Sequence, residues 1–346
     1  MSTLSDIAFE HQRRREALTH RATVQSVRRF RQINVADLDS GWDAFAPALV
    51  ADVAAAQVTA ARQSAPYLSR VASSYGTRTE SAALIPEAFG GIMLDGREVG
   101  PALYGAVAGT KTLIGKGMAP ARAFEVGASF LATLVGAAVQ DMGRQADNTL
   151  ATGKGWTHYV RVVNAGACSR CSILAGKSDY RTAFLRHPRC KCTSAPIEGD
   201  GGKPVPDGLY GSPEEHFDSL SAAEQDRIYT KAGAYAIRNG ADPISVVNAR
   251  RGAMNAGGLG KPNRMVKTTI GIKADGSPLQ VFLTGEGTTV RSSFGRSEVA
   301  KSGEWAKEGR YRRTTTLRLM PEQIQIMAGD NAVRARELLE RYGYLR

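Results

Sequence analysis

The sequence Cys168-Ser-Arg-Cys171 is followed, after fifteen residues, by His187-Pro-Arg-Cys190-Lys-Cys192. Written as a spacing, this is C-x2-C-x15-H-x2-C-x-C, and it contains all four cysteines of the 346-residue chain. A Cys-x-x-Cys turn presents two thiolates to one ion, and a second pair of ligands completes a tetrahedron. The spacing therefore predicts a structural zinc site that joins two loops.

Five candidate ligands compete for four positions around such an ion. We expect Cys168, Cys171 and Cys190 to be ligands, with Cys192 and His187 as alternatives for the last position. In a strand, Cys190 and Cys192 would point to the same side, whereas His187 and Cys190 could share a turn. Because the stretch between the two halves has few apolar side chains, we expect zinc to contribute to folding here.

Two disulfides or a catalytic dithiol are the alternatives to zinc for these cysteines. The N-terminal sequence lacks the basic-then-apolar order of a secretion signal, which favours a reducing compartment over stable disulfides. A redox Cys-x-x-Cys would leave the second cysteine pair without a role. Structural zinc is therefore the preferred hypothesis.

The composition around this segment predicts a soluble, globular protein. Hydrophobic residues make up 42% of the chain and charged residues 23%, and the length suits two or three packing units. The longest uncharged apolar run, 126–139, is too short to cross a bilayer. We therefore expect neither a membrane-spanning protein nor a conventionally secreted one.

The net charge of +12 is concentrated at the two ends of the chain. Residues 1–36 contain seven Lys/Arg against three Asp/Glu, and residues 261–346 contain sixteen against nine. Basic ends favour nonspecific contact with nucleic acid or with an acidic protein surface, and solvated charge is the alternative. Because residues 5–32 lack Gly and Pro and have sparse apolar residues, they predict a peripheral helical arm that gains order on a partner. Its candidate contact residues are Arg13, Arg14, Arg15, Arg28, Arg29 and Arg31.

The pattern of the whole chain predicts a mostly helical α+β fold. We expect a basic N-terminal helical arm (1–36), a helical domain (37–150), a zinc-binding α+β module (151–260) and a basic C-terminal region with short strands and helices (261–346). Helices are predicted at 41–72, 98–115, 120–148, 221–239 and 242–251, strands at 158–163, 265–273 and 279–284, and a glycine-rich linker at 252–260. The helix at 120–148 is apolar on nearly all sides, which predicts a central core helix, and its small residues, Gly127 among them, would allow close approach of neighbouring helices.

The cysteine segment resembles the MuF-like family of minor head proteins from tailed bacteriophages. That family has a Cys-x-x-Cys or equivalent, then Leu-x-Gly, then a His-Pro-x-Cys-Arg-Cys ending. Here these are Cys168/Cys171, Leu174-Ala-Gly176 and residues 187–192, with Lys191 in place of the usual Arg. The segments 318–322 and 338–345 are also similar to those of actinobacterial phage proteins described as MuF-like minor capsid proteins or capsid maturation proteases.

The resemblance implies a virion or procapsid component with a role in head morphogenesis. Such a protein would be assembled in the host cytoplasm and would associate with the portal vertex. Its implied partners are the portal protein, the major capsid or scaffold proteins and phage DNA, which it would contact nonspecifically; no membrane is implied.

A capsid maturation protease and a zinc-bearing DNA-binding protein are the alternative functions. Ser129 lies in a Gly-Ala-Ser-Phe-Leu sequence without the second Gly of a nucleophile elbow, so no residue is predicted to be catalytic. His11, His20 and His216 are expected to be solvated, and His158 to be a surface or packed residue.

Overall fold

The structure, a computed structural model, describes residues 3–163, 166–199, 204–250, 265–272 and 276–345. It is a mostly helical α+β protein with a few short strands in small sheets, as the sequence predicts. The chain forms two compact units. The first unit contains residues 1–167 and 174–212, and the second contains residues 168–173 and 213–346. The segment limits expected from the sequence remain predictions, and the linker expected at 252–260 lies outside the described residues.

The first unit is built from five long helices, and three of them begin at a helix-start signal that can be recognised in the sequence. Thr3 and Asp6 form a capping box at the start of the first helix, Asp37 caps the second, and Pro120 occupies the first turn of the fifth. The helices are α1 (Leu4–Phe30), α2 (Leu38–Arg62), α3 (Ser64–Tyr75), α4 (Val99–Gly115) and α5 (Pro120–Gly153), with a 3-10 turn at Pro86–Phe89.

Helix α5 is the core helix of the first unit, as its apolar sequence predicts. Helices α1, α2, α3 and α4 all pack against it. At Gly127 a β-carbon would lie 2.0 Å from Thr110 Oγ1 and 3.1 Å from the Ala106 carbonyl oxygen, so only glycine permits the observed approach of α4. The core around α5 includes Leu103, Phe124, Leu131, Val135 and Val139.

Helix α1 is not a peripheral arm, and that expectation is wrong. One face of α1 is buried and carries Leu4, Ile7, Ala8 and Leu18 together with polar side chains, His11 and Arg15 among them. The apolar residues alone are sparse, but polar residues that find partners inside the protein complete the buried face. Sequence hydrophobicity therefore underestimated how much of α1 is covered.

A three-stranded antiparallel sheet follows α5 in the first unit. Strand β1 (His158–Val162), predicted at 158–163, lies between β2 (Lys177–Asp179) and β3 (Thr193–Ile197). Strand β3 begins directly after Cys192, in a region expected to be a loop from residue 195, and all five of its residues are buried. The sheet therefore fixes the chain on the C-terminal side of the second cysteine pair.

Several helix limits differ from those expected. The helix predicted at 41–72 is two helices that meet at Gln63, and the helix predicted at 221–239 breaks at Thr230, whose φ is +67°.

The elements of the second unit are α6 (Ser169–Ser172), α7 (Pro213–Asp218), α8 (Ala222–Tyr229), α9 (Lys231–Arg238), α10 (Pro243–Ala249), β4 (Met265–Ile272), β5 (Pro278–Thr284), α11 (Ser293–Ser302), β6 (Ala306–Glu308), β7 (Tyr311–Arg313), β8 (Arg318–Leu319), α12 (Pro321–Ala328) and α13 (Ala332–Arg341). The strands form the sheets β4-β5-β8 and β6-β7.

Within the second unit, a buried arginine joins β8 to the C-terminal residues. Arg318, only 3% exposed, donates to the carbonyl oxygens of Tyr342 at 2.6 Å and Gly343 at 3.0 Å. Its guanidinium carbon lies 3.7 Å from the ring centroid of Tyr344, whose hydroxyl donates to the Leu319 carbonyl at 2.8 Å. The segments 318–322 and 338–345 are therefore in direct contact.

Among the residues that the structure describes, two helical stretches are long and apolar enough to cross a membrane, judged on length and composition alone. They are Leu38–Tyr75 and Pro120–Gly153, in which 33% and 56% of the most apolar 18 residues are buried. Core helices of globular proteins meet the same criterion. That no membrane is a partner of this chain stays a prediction.

We expect Gly143→Ala to destabilise the first unit, although alanine is the better helix former. A β-carbon on Gly143 would lie 1.9 Å from the Arg15 guanidinium, which is buried beside Asp147. Displacing that guanidinium leaves a buried charge without compensation, which costs about 3 kcal/mol or more and exceeds the roughly 1 kcal/mol gained from helix propensity.

Gly109→Ala in α4 is the matched control, because no atom lies within 4 Å of the added β-carbon. It should raise the free energy of unfolding by about 0.5–1 kcal/mol. Urea unfolding followed by circular dichroism measures both variants, and equal stabilisation by the two would contradict the packing described here.

Candidate metal centre

The first pair of cysteines belongs to a tight helical turn. Cys168 precedes α6, and its carbonyl oxygen accepts from the backbone N–H of Cys171 at 2.9 Å and of Ser172 at 3.1 Å. The Ser172 hydroxyl donates to the same carbonyl at 3.2 Å. Cys171 is buried and Cys168 is exposed. The Cys-x-x-Cys turn predicted from the sequence is therefore formed.

The second pair of cysteines is held by buried side chains from α5 and α1. Arg144 in α5 donates to the carbonyl oxygens of Cys190 and Cys192, both at 3.1 Å. Gln12 in α1 donates to the carbonyl oxygens of Lys191 at 3.2 Å and of Val162 in β1 at 3.1 Å. These bonds fix the backbone of the Cys-x-Cys segment independently of its thiols.

Arg144 itself is held in place by charge and by an aromatic ring. Its guanidinium pairs with Asp141 one turn earlier in α5, and Asp141 also pairs with Arg186 at 2.5 Å. The side chain of Phe184 lies with its ring centroid 5.5 Å from the guanidinium carbon of Arg144. The charged pair therefore fixes Arg144 against the two cysteine carbonyls.

His187 is oriented by its own chain. Its Nδ1 lies 2.6 Å from the carbonyl oxygen of Pro188, and because a carbonyl can only accept, Nδ1 is the donor. In a neutral imidazole this places the lone pair on Nε2, the arrangement usual in metal-binding histidines. The Cys190 N–H donates to the His187 carbonyl at 3.1 Å, so these two residues share the turn that the spacing suggested.

The five candidate ligands fall into two groups that share Cys171. One group is Cys168, Cys171 and His187, the other is Cys171, Cys190 and Cys192, and within each group the ligand atoms lie within 4.8 Å of one another. The edges of a tetrahedron with metal–sulfur bonds near 2.3 Å are about 3.8 Å long, so small shifts suffice for coordination. None of the four cysteines forms a disulfide. The cluster can bind a metal ion, and Cys192 and His187 both stay candidates for the last position.

A buried polar network, which the sequence reasoning missed, lies at the core of the first unit. The Asp147 carboxylate of α5, only 1% exposed, accepts from His11 Nε2 at 2.9 Å, from Ser64 Oγ at 2.7 Å and from Arg15 at 3.3 Å. Thr193, the residue after Cys192, donates to it at 3.5 Å. Charged residues that recur every three positions in an apolar helix, at 141, 144 and 147, were the available signal.

The pKa values of this network follow from burial and charge. Burial lowers the pKa of His11 below its usual range, so the imidazole is neutral at pH 7. Burial alone would raise the pKa of Asp147, but the Arg15 charge and the bonds from His11 and Ser64 hold it well below its ordinary value. The carboxylate is therefore ionised and paired inside the protein.

The arginines predicted to contact a partner lie in different environments. Arg13 and Arg28 are exposed, Arg14 pairs with Glu10, Arg29 with Asp52 and Arg31 with Glu125. The expectation for Arg15 is wrong, because its side chain is 3% exposed and its guanidinium also donates to the Ala60 carbonyl at 3.1 Å. The sequence groups Arg15 with surface arginines because its buried partner, Asp147, is 132 positions away in the chain.

Two of the three histidines expected to be solvated are buried. His11 and His216 are each 5% exposed, whereas His20 is exposed as predicted. The ring of His11 stacks on Tyr67 with centroids 3.9 Å apart. His158 lies at the start of β1, where its Nδ1 is 2.9 Å from the Thr157 hydroxyl, in keeping with a packed surface histidine.

No family model matches the chain, and no curated protein or solved structure matches it significantly. Fold and site together define an α+β protein, mostly helical, with a cysteine–histidine cluster that can bind a metal ion.

We expect acidification to destabilise the first unit through His11. Because its folded pKa is depressed, the unfolded state binds a proton that the folded state does not, so the stability is present above pH 6.5 and falls as the pH drops below it. The slope of unfolding free energy against pH approaches about 1.4 kcal/mol per pH unit for one such group. Asp147 further lowers the free energy of unfolding when the pH falls below the ordinary carboxyl pKa of 3.8.

His11→Gln should flatten the slope of unfolding free energy between pH 7.5 and 5.5, since glutamine keeps a donor for Asp147 but does not titrate. The exposed His20→Gln, at another histidine of the same helix, is the control for the substitution itself. Denaturant titrations at several pH values measure both, and an unchanged slope in His11→Gln would refute the buried, neutral state of this histidine.

We expect Arg144→Gln to weaken metal retention at the cluster by about 10–100-fold, because removing a group that orients the ligands typically has an effect of this size. Competition with a chromophoric chelator measures the change. Arg122→Gln, an exposed arginine near the start of the same helix, is the control and should retain the metal like the parent chain. Equal affinity in the two variants would show that the carbonyl bonds do not position the cysteines.

Proposed function

We propose that this chain is a minor capsid protein of a tailed bacteriophage, acting in head morphogenesis at the portal vertex and containing structural zinc. The observation that carries the proposal is the C-x2-C-x15-H-x2-C-x-C segment. Its spacing resembles that of MuF-like minor head proteins, and its five candidate ligands form two groups with ligand atoms within 4.8 Å of one another.

Zinc is the ion that best fits these donors. Thiolates with an imidazole select soft or borderline ions, and zinc prefers a tetrahedron of such ligands. Three of the four cysteines are buried, which suits a closed, structural site. Asp179, the acidic residue between the two halves of the motif, accepts from the Arg181 N–H and side chain, and these bonds lower its pKa. At neutral pH its carboxylate is therefore both a poor proton donor and a weak proton acceptor, which favours a structural role over a catalytic one.

The basic surface of α1 suits the partners of a portal-associated protein. Arg13 and Arg28 are exposed, and Arg14 and Arg31 have half or more of their side chains exposed beside acidic partners. Such a surface is suited to acidic faces of portal, major capsid or scaffold proteins and to the phosphates of phage DNA. On this proposal the chain belongs to the phage head or procapsid and is assembled in the host cytoplasm.

The structure offers no support for the protease alternative at Ser129. This residue lies within α5, where its hydroxyl and carbonyl oxygen both accept from Arg189 at 3.3 Å. A serine nucleophile needs a base within hydrogen-bond reach, and the partner here is a guanidinium, which cannot accept a proton.

The proposal predicts that the chain co-sediments with procapsids when it is co-expressed with the portal, scaffold and major capsid proteins of the same phage. Omitting the portal protein should leave the chain at the top of the gradient. Elemental analysis of the purified chain should give about one zinc per chain. Co-sedimentation that does not depend on the portal, or absence from the particle, would overturn the proposed location.

Variants at the cysteine–histidine cluster test zinc binding separately from incorporation into the particle. Cys171→Ser, which removes the ligand shared by both groups, should lose both its zinc and its incorporation into the procapsid. Comparison of Cys192→Ser with His187→Ala identifies the fourth ligand, because only the variant that lacks a true ligand should lose zinc. Cleavage of the capsid protein by the purified chain would instead establish the protease alternative.

A further inference from the structure

The β6–β7 hairpin of the second unit combines exposed cations with an exposed tryptophan. From Arg291 to Arg313 the sequence contains seven Lys/Arg and three Glu. Trp305, directly before β6, is 50% exposed, whereas the other two tryptophans, Trp42 and Trp156, are each 6% exposed. A large aromatic side chain left in water beside a basic surface suggests a ligand with both charge and an apolar face.

Arginine side chains are already placed against the aromatic rings of this hairpin. The guanidinium carbon of Arg312 lies 5.6 Å from the ring centroid of Trp305. Those of Arg291 and Arg310 lie 4.9 Å and 5.1 Å from the ring centroid of Tyr311, and Arg310 Nε donates to the Tyr311 hydroxyl at 2.8 Å. These cation–π contacts place the charges beside the rings.

The register of the hairpin places two cations directly opposite each other. Lys307 in β6 pairs with Arg312 in β7, so both side chains leave the same face of the ribbon, and both are exposed. Like charges in this position are unfavourable. The carboxylate of Glu298, 3.1 Å from the Lys301 ammonium, is already paired within α11. A bound polyanion would relieve the repulsion between Lys307 and Arg312.

Single-stranded nucleic acid is the ligand whose chemistry matches both features. Its phosphates pair with a row of cations, and its unpaired bases stack on exposed aromatic rings. The bases of a duplex are stacked on each other, and an acidic protein would satisfy the cations without using Trp305. We propose that this hairpin surface binds single-stranded nucleic acid, with an unpaired base on Trp305 and the backbone along Arg291, Lys307, Arg310 and Arg312. The inference goes beyond the proposed function and depends on neither zinc nor a phage head.

Titration of the full chain with oligo-dT tests the proposal. Because Trp42 and Trp156 are buried, saturable quenching of tryptophan fluorescence should report Trp305. By anisotropy of a labelled oligonucleotide, Trp305→Ala should bind at least about 5-fold more weakly, while Trp305→Phe should retain most of the affinity. Affinity should fall with salt, with a log–log slope of about −0.7 for each phosphate contact, and Arg312→Ala should reduce that slope by about one contact.

Arg334→Ala is the matched control, because it removes the same charge from α13, where Arg334 pairs with Glu337 at 3.0 Å. It should leave the affinity for oligo-dT nearly unchanged. Equal weakening by Arg312→Ala and Arg334→Ala would show diffuse charge attraction and overturn the site. The proposal also fails if Trp305→Ala binds like the parent chain, if a duplex of equal length binds as tightly, or if polyglutamate competes as well as oligo-dT.

Discussion

The first unit depends on one buried carboxylate. Asp147 is charged, almost completely inaccessible to water, and bonded to side chains from α1, from α3 and from the start of β3. A buried ion must be fully paired, because leaving it uncompensated costs several kcal/mol. Asp147 therefore fixes the positions of His11, Arg15 and Ser64 relative to one another. It also requires the close approach of α1 to α5, which only a glycine at position 143 allows.

The same polar core positions the cysteines. Gln12 follows His11 on α1, and Arg144 precedes Asp147 by one turn of α5; together they bind the carbonyl oxygens of residues 190–192. The backbone of the Cys190–Cys192 segment is thus fixed by hydrogen bonds from buried side chains. On our proposal, zinc would bind thiols whose backbone is already ordered by these hydrogen bonds. The site would therefore be a rigid structural site and not one that forms only when the metal binds.

Charge has different uses in the two units. Most of the α1 arginines that were expected to contact a partner form ion pairs with acidic residues of the first unit, and one of them, Arg15, is buried. The positive charge counted from the sequence is therefore larger than the basic surface that a partner could reach there. In the second unit, Arg318 is likewise buried, where it stacks on Tyr344 and binds backbone carbonyls. The cations of the β6–β7 hairpin are exposed and lie beside aromatic rings, which is why we assign ligand binding to that surface.

The elements with local signals could be predicted from the amino-acid sequence. The apolar run of α5, its Pro120 start, the alternation of β1 and the spacing of Cys168, Cys171, His187, Cys190 and Cys192 all act over a few residues, and the structure has each of them. Which polar residues are buried depends instead on contacts between segments that are distant in the chain. His11 and Arg15 are separated from Asp147 by more than 130 positions, and nothing near any one of them in the chain indicates its partners. Hydrophobic periodicity identifies the apolar side chains of a helix face, which can be buried without a specific partner. A charged side chain is buried only where another segment of the chain supplies an oppositely charged partner.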